Sequence, residues 1–275
     1  MHDTIPPIAL SFWRWAVALT IVLPFVVPRA GELATALRRH WAILSLLGVL
    51  GVTNFNTFVY LGLQTTTATN AVLLVSTTPV LILILSFLLL GQAVRWGQAT
   101  GVLLSLAGVG AIVTAGDPAA LADLALNAGD LWILAAVVSW ALYSVCLRWR
   151  PNGLDPLLFL TATIFTGLIP LLPLYLWDQA RGSVLTLDGV TIGAIGYVAL
   201  FPSVLAYVFW NRGVADLGAN RTGQFLHLMP VFGTLLSMLL LGERLAMYHL
   251  AGIGLIGAGI LLAGGKEREQ VRERP

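Results

Sequence analysis

The sequence predicts an all-α integral membrane protein, an inverted repeat of five transmembrane helices each, with nine spans visible. Three observations predict it: an apolar composition, apolar segments of membrane-crossing length along the chain, and self-similarity at an offset of 151 residues. Of 275 residues, 58% are hydrophobic and 10% charged, against about 25% charged in a soluble domain. Water is not the solvent for such a chain. A lipid environment leaves backbone N–H and C=O groups without partners, so only helices or closed barrels cross it. Barrel strands alternate apolar and polar residues, and these segments do not.

Taken in order, the apolar segments run over 7–27, 39–63, 68–89, 97–115, 128–147, 154–177, 188–211, 218–240 and 246–265. Each approaches the ~20 residues that a helix rising 1.5 Å per residue needs to cross the hydrocarbon core. The first has no basic leader and no small-residue cleavage pattern, and it carries Arg14, so it reads as a span and not a signal peptide. Connections are short, the longest being 116–127, which leaves one membrane domain. The lone Cys146 lies inside an apolar segment and reads as a buried small hydrophobe.

Basic residues set the orientation. Arg29, Arg38, Arg39, Arg95, Arg148, Arg150, Arg212, Arg221, Lys266, Arg268, Arg272 and Arg274 fall on alternate connections and the tail. Only Arg181 and Arg244 fall on the others. The positive-inside rule places the rich side, and with it the C-terminus, in the cytoplasm. Nine spans then leave the residues before Pro7 outside with no export signal, so a tenth span is expected ahead of Met1.

At the 151-residue offset, 62–108 aligns with 213–259. Pro79 meets Pro230, Ser86 meets Ser237, Gly91 meets Gly242, Gly101 meets Gly252, and Gly108 meets Gly259. Registered prolines and glycines carry more weight than matched leucines. The same offset projects the fifth segment ahead of Met1, which predicts the tenth span a second time. Five spans per copy put the copies in opposite orientations, an arrangement typical of secondary transporters. The expected units are 1–116, 117–265 and a cytoplasmic tail over 266–275.

Pro7, Phe12, Arg14 and Pro24, the run Trp140-Ala141-Leu142-Tyr143, Pro230-Val231, Leu241-Gly242-Glu243, Gly252 and Gly259 carry a family resemblance. Over nearly the whole chain the sequence resembles the drug/metabolite transporter superfamily. Within it, the chain is similar to EamA-type ten-helix exporters and, more narrowly, to YddG-like exporters of amino acids, including aromatic ones. It departs by lacking the first of the usual ten helices and by having Gln92 where the second copy has Glu243. The resemblance implies a secondary transporter of the plasma (bacterial inner) membrane that exports small metabolites, most often amino acids, by alternating access. Other metabolites or drugs of the same superfamily are the alternative substrates.

Candidate site residues follow. Pro79 and Pro230 remove backbone bonds at equivalent places in two spans, the pattern that marks transporter sites; plain packing kinks are the alternative. Ser76 and His227 are repeat mates one turn earlier. His227 is an ionisable group near mid-span, suited to substrate or a proton, or else to a neutral hydrogen bond between helices. Asn54, Asn56, Trp140, Tyr143, Ser203, Tyr207 and Gln224 complete an expected polar-aromatic cavity. Spacings of three or four pair Trp140 with Tyr143, Ser203 with Tyr207 and Gln224 with His227 on shared helix faces. Against this, Trp and Tyr also populate interfacial belts and polar residues glue helices. Arg14 reads as a structural charge, and Gly97, Gly101, Gly252 and Gly259 as close-packing positions.

The thirteen acidic residues fall in loops, at span ends or in the tail, which disfavours a carboxylate proton carrier. The expected mechanism is facilitated efflux, or coupling through His227. A membrane enzyme would need clustered His, Asp or Glu at the membrane surface and a channel a charge ring or filter loop, and the sequence shows neither. No catalytic residue, metal ligand set or cofactor is expected. The expected partners are a small-molecule substrate and the lipid bilayer, with no nucleic acid and function as a monomer.

Overall fold

The computed structural model describes residues 5–121, 127–242 and 244–264. The expected tail over 266–275 and Glu243 lie outside the described residues. Among the described residues every regular element is helical, and nine helices are long and apolar enough to cross a membrane. They are α1 (Pro7–Arg39), α2 (Trp41–Gly62), α3 (Ala68–Leu90), α4 (Trp96–Val113), α5 (Ala128–Trp149), α6 (Pro156–Ala180), α7 (Gly189–Leu217), α8 (Ala219–Leu240) and α9 (Met247–Gly264).

The largest boundary departure from the sequence expectation is at the end of the first span; the seventh also runs on, to Leu217. Beyond 27 the chain does not leave the helical path: a 3₁₀ turn at Val27–Arg29 leads into an amphipathic segment, Ala30–Arg39, and the reversal comes at His40. Pro28 has no N–H to give, so the regular α-helical bonding lapses there and resumes at a new angle. Glu32, Arg38 and Arg39 stay exposed while Ala36 is buried, so this segment lies along the basic end of the molecule.

Local sequence explains most helix ends. Asn127 caps α5 by accepting from the N–H groups of Gly129 and Asp130, and Asp130 accepts from the Asn127 N–H at 2.8 Å, a reciprocal capping box. Asp155 caps α6 ahead of Pro156 at the first helical position, and it also meets Arg29 at 3.1 Å, joining the two halves. Burial works against the Asp155 charge, but the Leu157 and Leu158 N–H groups and the Arg29 guanidinium outweigh it. They hold its carboxyl below the usual carboxylate range. Gly91 and Gly242, repeat mates, end α3 and α8 with φ of 63° and 70°, the left-handed cap that glycine adopts without a Cβ penalty.

The repeat is visible as contacts. Asn56 Nδ2 donates to Tyr207 Oη at 3.2 Å, Ser105 Oγ donates to the Ile256 carbonyl at 3.3 Å, and His227 Nε2 donates to the Ser76 carbonyl at 2.9 Å. Each pair is 151 residues apart. A residue that touches its own symmetry mate lies on the two-fold axis, so the axis passes through all three contacts.

Around it the α4–α9 crossing is reciprocal: Gly101 faces Gly259 and Gly108 faces Gly252. A β-carbon on Gly108 would lie 2.6 Å from the Gly252 carbonyl oxygen, and one on Gly252 would lie 2.7 Å from that of Gly108. Only glycine permits this approach. Turns of π-helix fall at Gly48–Asn54 in α2 and Leu200–Leu205 in α7, again equivalent positions. Mates five spans apart run antiparallel, so the repeat is inverted.

The core sits where the halves meet. Within α5, 67% of the apolar window is buried, against 17% in α9, which makes α5 central and α9 peripheral. Leu44, Leu47, Val52, Leu160 and Ile164 share one core cluster with Trp140 and Tyr143 of α5. Outward residues such as Phe232, Leu239 and Leu261 are exposed and apolar, the surface a hydrocarbon solvent requires.

Candidate functional site

Four helices deliver aromatic rings to one place beside the axis. Trp140 on α5 stacks on Tyr143 at 5.2 Å and meets Phe55 of α2 at 4.5 Å, with Tyr207 and Trp210 of α7 both at 5.2 Å. Trp15 of α1 contacts Tyr207 edge-on at 4.9 Å. Such pairs each contribute about 0.5–1.5 kcal/mol beyond burial, so the cluster is self-supporting. Amides line it: Asn56 bridges to Tyr207, Tyr207 Oη donates to the Gly51 carbonyl, and Tyr143 Oη donates to Asn211 Oδ1 at 2.7 Å. Gly51 lies against the Tyr143 ring, where a β-carbon would come within 2.8 Å of it.

The Gly51 carbonyl is available because it lies in a π-helical turn. The wider turn disturbs the regular ladder and offers carbonyls to other donors, a feature frequent at functional sites. Ser203 lies in the π turn of α7, donates to the Val198 carbonyl and accepts from Arg14 Nε of α1, while Tyr207 in the α-helical stretch that follows meets Trp15 of α1. Asn54, at the end of the π turn in α2, is half-buried, and its side chain makes no hydrogen bond among the described residues.

Arg14 is only 5% exposed. Besides Ser203 it donates to Tyr60 Oη and to the Pro202 carbonyl, both at 2.9 Å, and its guanidinium lies 5.3 Å from the Trp15 ring centre. All its hydrogen-bond acceptors are neutral, and together they fasten α1 to α2 and to the π turn of α7.

Both axial spans break where the prolines stand. In α3, helix Ala68–Val75 stops, Ser76 and Thr77 turn, and helix resumes at Thr78 with Pro79 in its first turn. In α8, Gln224 passes into a 3₁₀ segment, Phe225–Leu228, and helix resumes at Met229 with Pro230 in its first turn. The freed Val75 carbonyl accepts from Thr78 Oγ1 at 2.5 Å, so it is satisfied locally. Ser76 spends its hydroxyl on the Val72 carbonyl and offers its own carbonyl to His227. That bond fixes the proton on Nε2 and leaves Nδ1 as a buried acceptor without a partner. Gln224 is 3% exposed with Nε2 also unpartnered.

Among the cavities between the halves, two lie along α5. An apolar one of about 370 Å³ is lined by Val59, Ala71, Ser76, Ile133, Pro230 and Gly233. A polar one of about 330 Å³ opens at the arginine-rich end beside Gln92, Ser144, Arg148 and Arg150. Ile133 and Ser144 are about 16 Å apart along α5. Between them Ala141 packs with Ile82, Gly223 closes on Ile82, and Val145 of the same cluster borders the polar cavity.

Sequence reasoning missed three features. Asp130 is fully buried and accepts from Thr66 and Asn70 of the first half; the Asn127/Asp130 capping pattern was the available signal. Asn211 lies four residues after Tyr207 and shares its face. Trp15, Phe55 and Trp210 carried no pattern to separate them from ordinary core aromatics. Among the described residues, no three His, Cys, Asp or Glu side chains gather as a metal-binding group. What the cluster offers is aromatic faces and amide dipoles, chemistry that suits a partner with both apolar and polar parts.

The EamA-like transporter family matches residues 1–114 and again 127–265. The chain belongs to that family. It is a multi-pass membrane transporter and not an enzyme. It is 29% identical to the "Uncharacterized transporter YyaM" of Bacillus subtilis (strain 168), over 94% of this chain and 85% of that one. It is 27% identical to a "Probable terminal-alkyne amino-acid exporter" of Streptantibioticus cattleyicolor, over 86% of this chain and 77% of that one. A solved crystal structure superposes with a TM-score of 0.75 at 20% identity, covering 95% of this chain and 89% of its own. At that identity the likeness bears on the fold alone.

Proposed function

We propose that this family member exports small amphipathic metabolites, amino acids including aromatic ones foremost, by alternating access between its halves, 1–116 and 117–265. The observation that carries the reading is the cluster at the axis. Trp140, Tyr143 and Tyr207 surround the amides of Asn56 and Asn211 with no carboxylate among them. Aromatic faces accept an apolar side chain, and amides accept or donate to a polar head without demanding a charge. Gln224 and His227, with unpartnered buried atoms, add polar positions one helix away. The amino-acid exporter among its relatives supports the substrate class.

In this reading the arginine-rich end faces the cytoplasm of a plasma (bacterial inner) membrane, following the positive-inside rule, and the monomer is the working unit. The two cavities are the two access routes, and the layer of Ile82, Ala141 and Gly223 is what a rocking of the halves opens. Counterflow of labelled amino acids in proteoliposomes tests it. Saturable exchange of phenylalanine or tyrosine, lost in Trp140→Ala, supports the reading. Flux that rises linearly without saturation points to a channel, and no amino-acid flux at all discards the substrate class.

A further inference from the structure

The polar cavity at the arginine-rich end adjoins a second, of about 150 Å³, and the two share Arg150 and Ala215. Three observations there point to an anion. First, the cations on these walls are not all neutralised. Arg212 is paired with Asp216 at 2.6 Å. Among the described residues, Arg148 and Arg150 meet no carboxylate, and Arg150 Nη1 donates only to the Asn211 carbonyl at 3.2 Å. Second, Asn211 is 4% exposed with Oδ1 taken by Tyr143, and its Nδ2 has no acceptor. A buried amide donor without a partner is rare in a folded protein and asks for an acceptor or water. Third, Asn211 lines the smaller cavity beside Arg150 while its oxygen holds a ring of the aromatic cluster. Arg150, Arg212 and Asp216 line the smaller cavity with Asn211, and Arg148 lines the larger one with Arg150.

We propose that Arg150, with Arg148 and the unpartnered amide of Asn211, forms a loading subsite for an oxyanion: the carboxylate of the solute, held before its apolar body passes to Trp140 and Tyr143. Guanidinium suits this task because its planar fork matches a carboxylate and it keeps its charge at any working pH. The phosphate of a lipid headgroup offers the same chemistry, and the test separates the two sources. The inference rests on the amino-acid reading above and specifies how the acid group is recognised.

The experiment uses the full chain in phosphatidylcholine vesicles, comparing counterflow of phenylalanine with that of phenylalaninamide, which lacks the carboxylate. Arg150→Gln is expected to raise the phenylalanine KM about tenfold and leave the maximal rate within about twofold. The phenylalaninamide KM stays where it is. Arg148→Gln gives a smaller rise, and Arg150→Lys an intermediate one. Should Arg150→Gln fail to fold, wild-type protein answers alone: calorimetric phenylalanine affinity falls with salt and that for phenylalaninamide does not. Salt-independent phenylalanine affinity overturns the proposal.

An unchanged phenylalanine KM in a folded Arg150→Gln protein overturns the subsite and leaves the amino-acid reading standing. A wild type that carries no amino acid overturns both. A KM difference between Arg150→Gln and wild type that appears only when phosphatidylglycerol is added assigns the arginines to lipid and overturns the proposal.

Discussion

The helix breaks of α3 and α8 occupy equivalent places in the two copies and begin alike, with a proline in the first turn of the resuming helix. Beyond that they diverge. In α3 the resuming helix buries Ile82 and Leu83, 0% and 5% exposed, and Ile82 packs in the layer between the cavities. Their mates in α8 are Gly233 and Thr234, and Gly233 lines the apolar cavity. Likewise Ser76 contributes only its carbonyl to the axis, and its mate His227 contributes a ring. Inverted symmetry governs backbone breaks, caps and crossings, where prolines and glycines act. The side chains depart from symmetry, and this gives the region between the cavities a filled wall at Ile82 and a hollow one at Gly233.

The difference is breakable by substitution, and the largest effect is expected at Ile82. Ile82→Ala should lower stability by about 2–5 kcal/mol. Gly233→Ala should change it by less than about 1 kcal/mol, because a β-carbon there meets nothing within 4 Å. Thermal melting of the purified variants checks both, and equal losses would mean that the two walls are packed alike. Where symmetry does hold, mates should respond together. Gly101→Ala and Gly252→Ala each force a β-carbon onto the facing helix and should each cost about 1–3 kcal/mol; a loss at one alone would break the reciprocity.

At the axis, His227→Ala should cost about 1 kcal/mol through its lost bond, and Ser76→Ala close to nothing, because the accepting atom is backbone. The same His227→Ala protein sharpens the mechanism. Flux unchanged from wild type across pH discards coupling through the histidine. The smallest effect belongs to the link between halves at Arg29 and Asp155. The Asp155 carboxyl titrates lower folded than unfolded, so its contribution is present above the unfolded value near pH 4 and lost as pH falls through the folded one. Because the pair is partly solvated, that contribution should stay under about 1 kcal/mol. Asp155→Asn should flatten the acid side of the melting profile by that amount.

Much of the fold was legible. Span positions followed from apolar length, and the repeat from registered Pro79/Pro230 and Gly91/Gly242. Site legibility was uneven. Trp140 with Tyr143 followed from helical spacing and they do stack. Asn56 and Tyr207 were both named, but nothing in their chemistry announced them as mates that touch. Ser203 was named as a cavity residue, but its hydroxyl is engaged by the Val198 carbonyl and Arg14; it lies in a π turn, which leaves no clear sign in composition. Asp130 was set aside as a span-end acid, although α5 buries its first turn against Thr66 and Asn70.

By itself the sequence determined the solvent, the number of apolar crossings, the two-copy plan and the charge asymmetry between the ends. Each is a property of hydropathy, periodicity or residue type read along one chain. Only the tertiary structure decided which mates meet on the axis, which polar atoms stay unpartnered there, and where the cavities lie. Those depend on helix phase and on contacts between residues far apart in sequence. No local pattern encodes them, because a one-residue change in a turn redirects every side chain that follows.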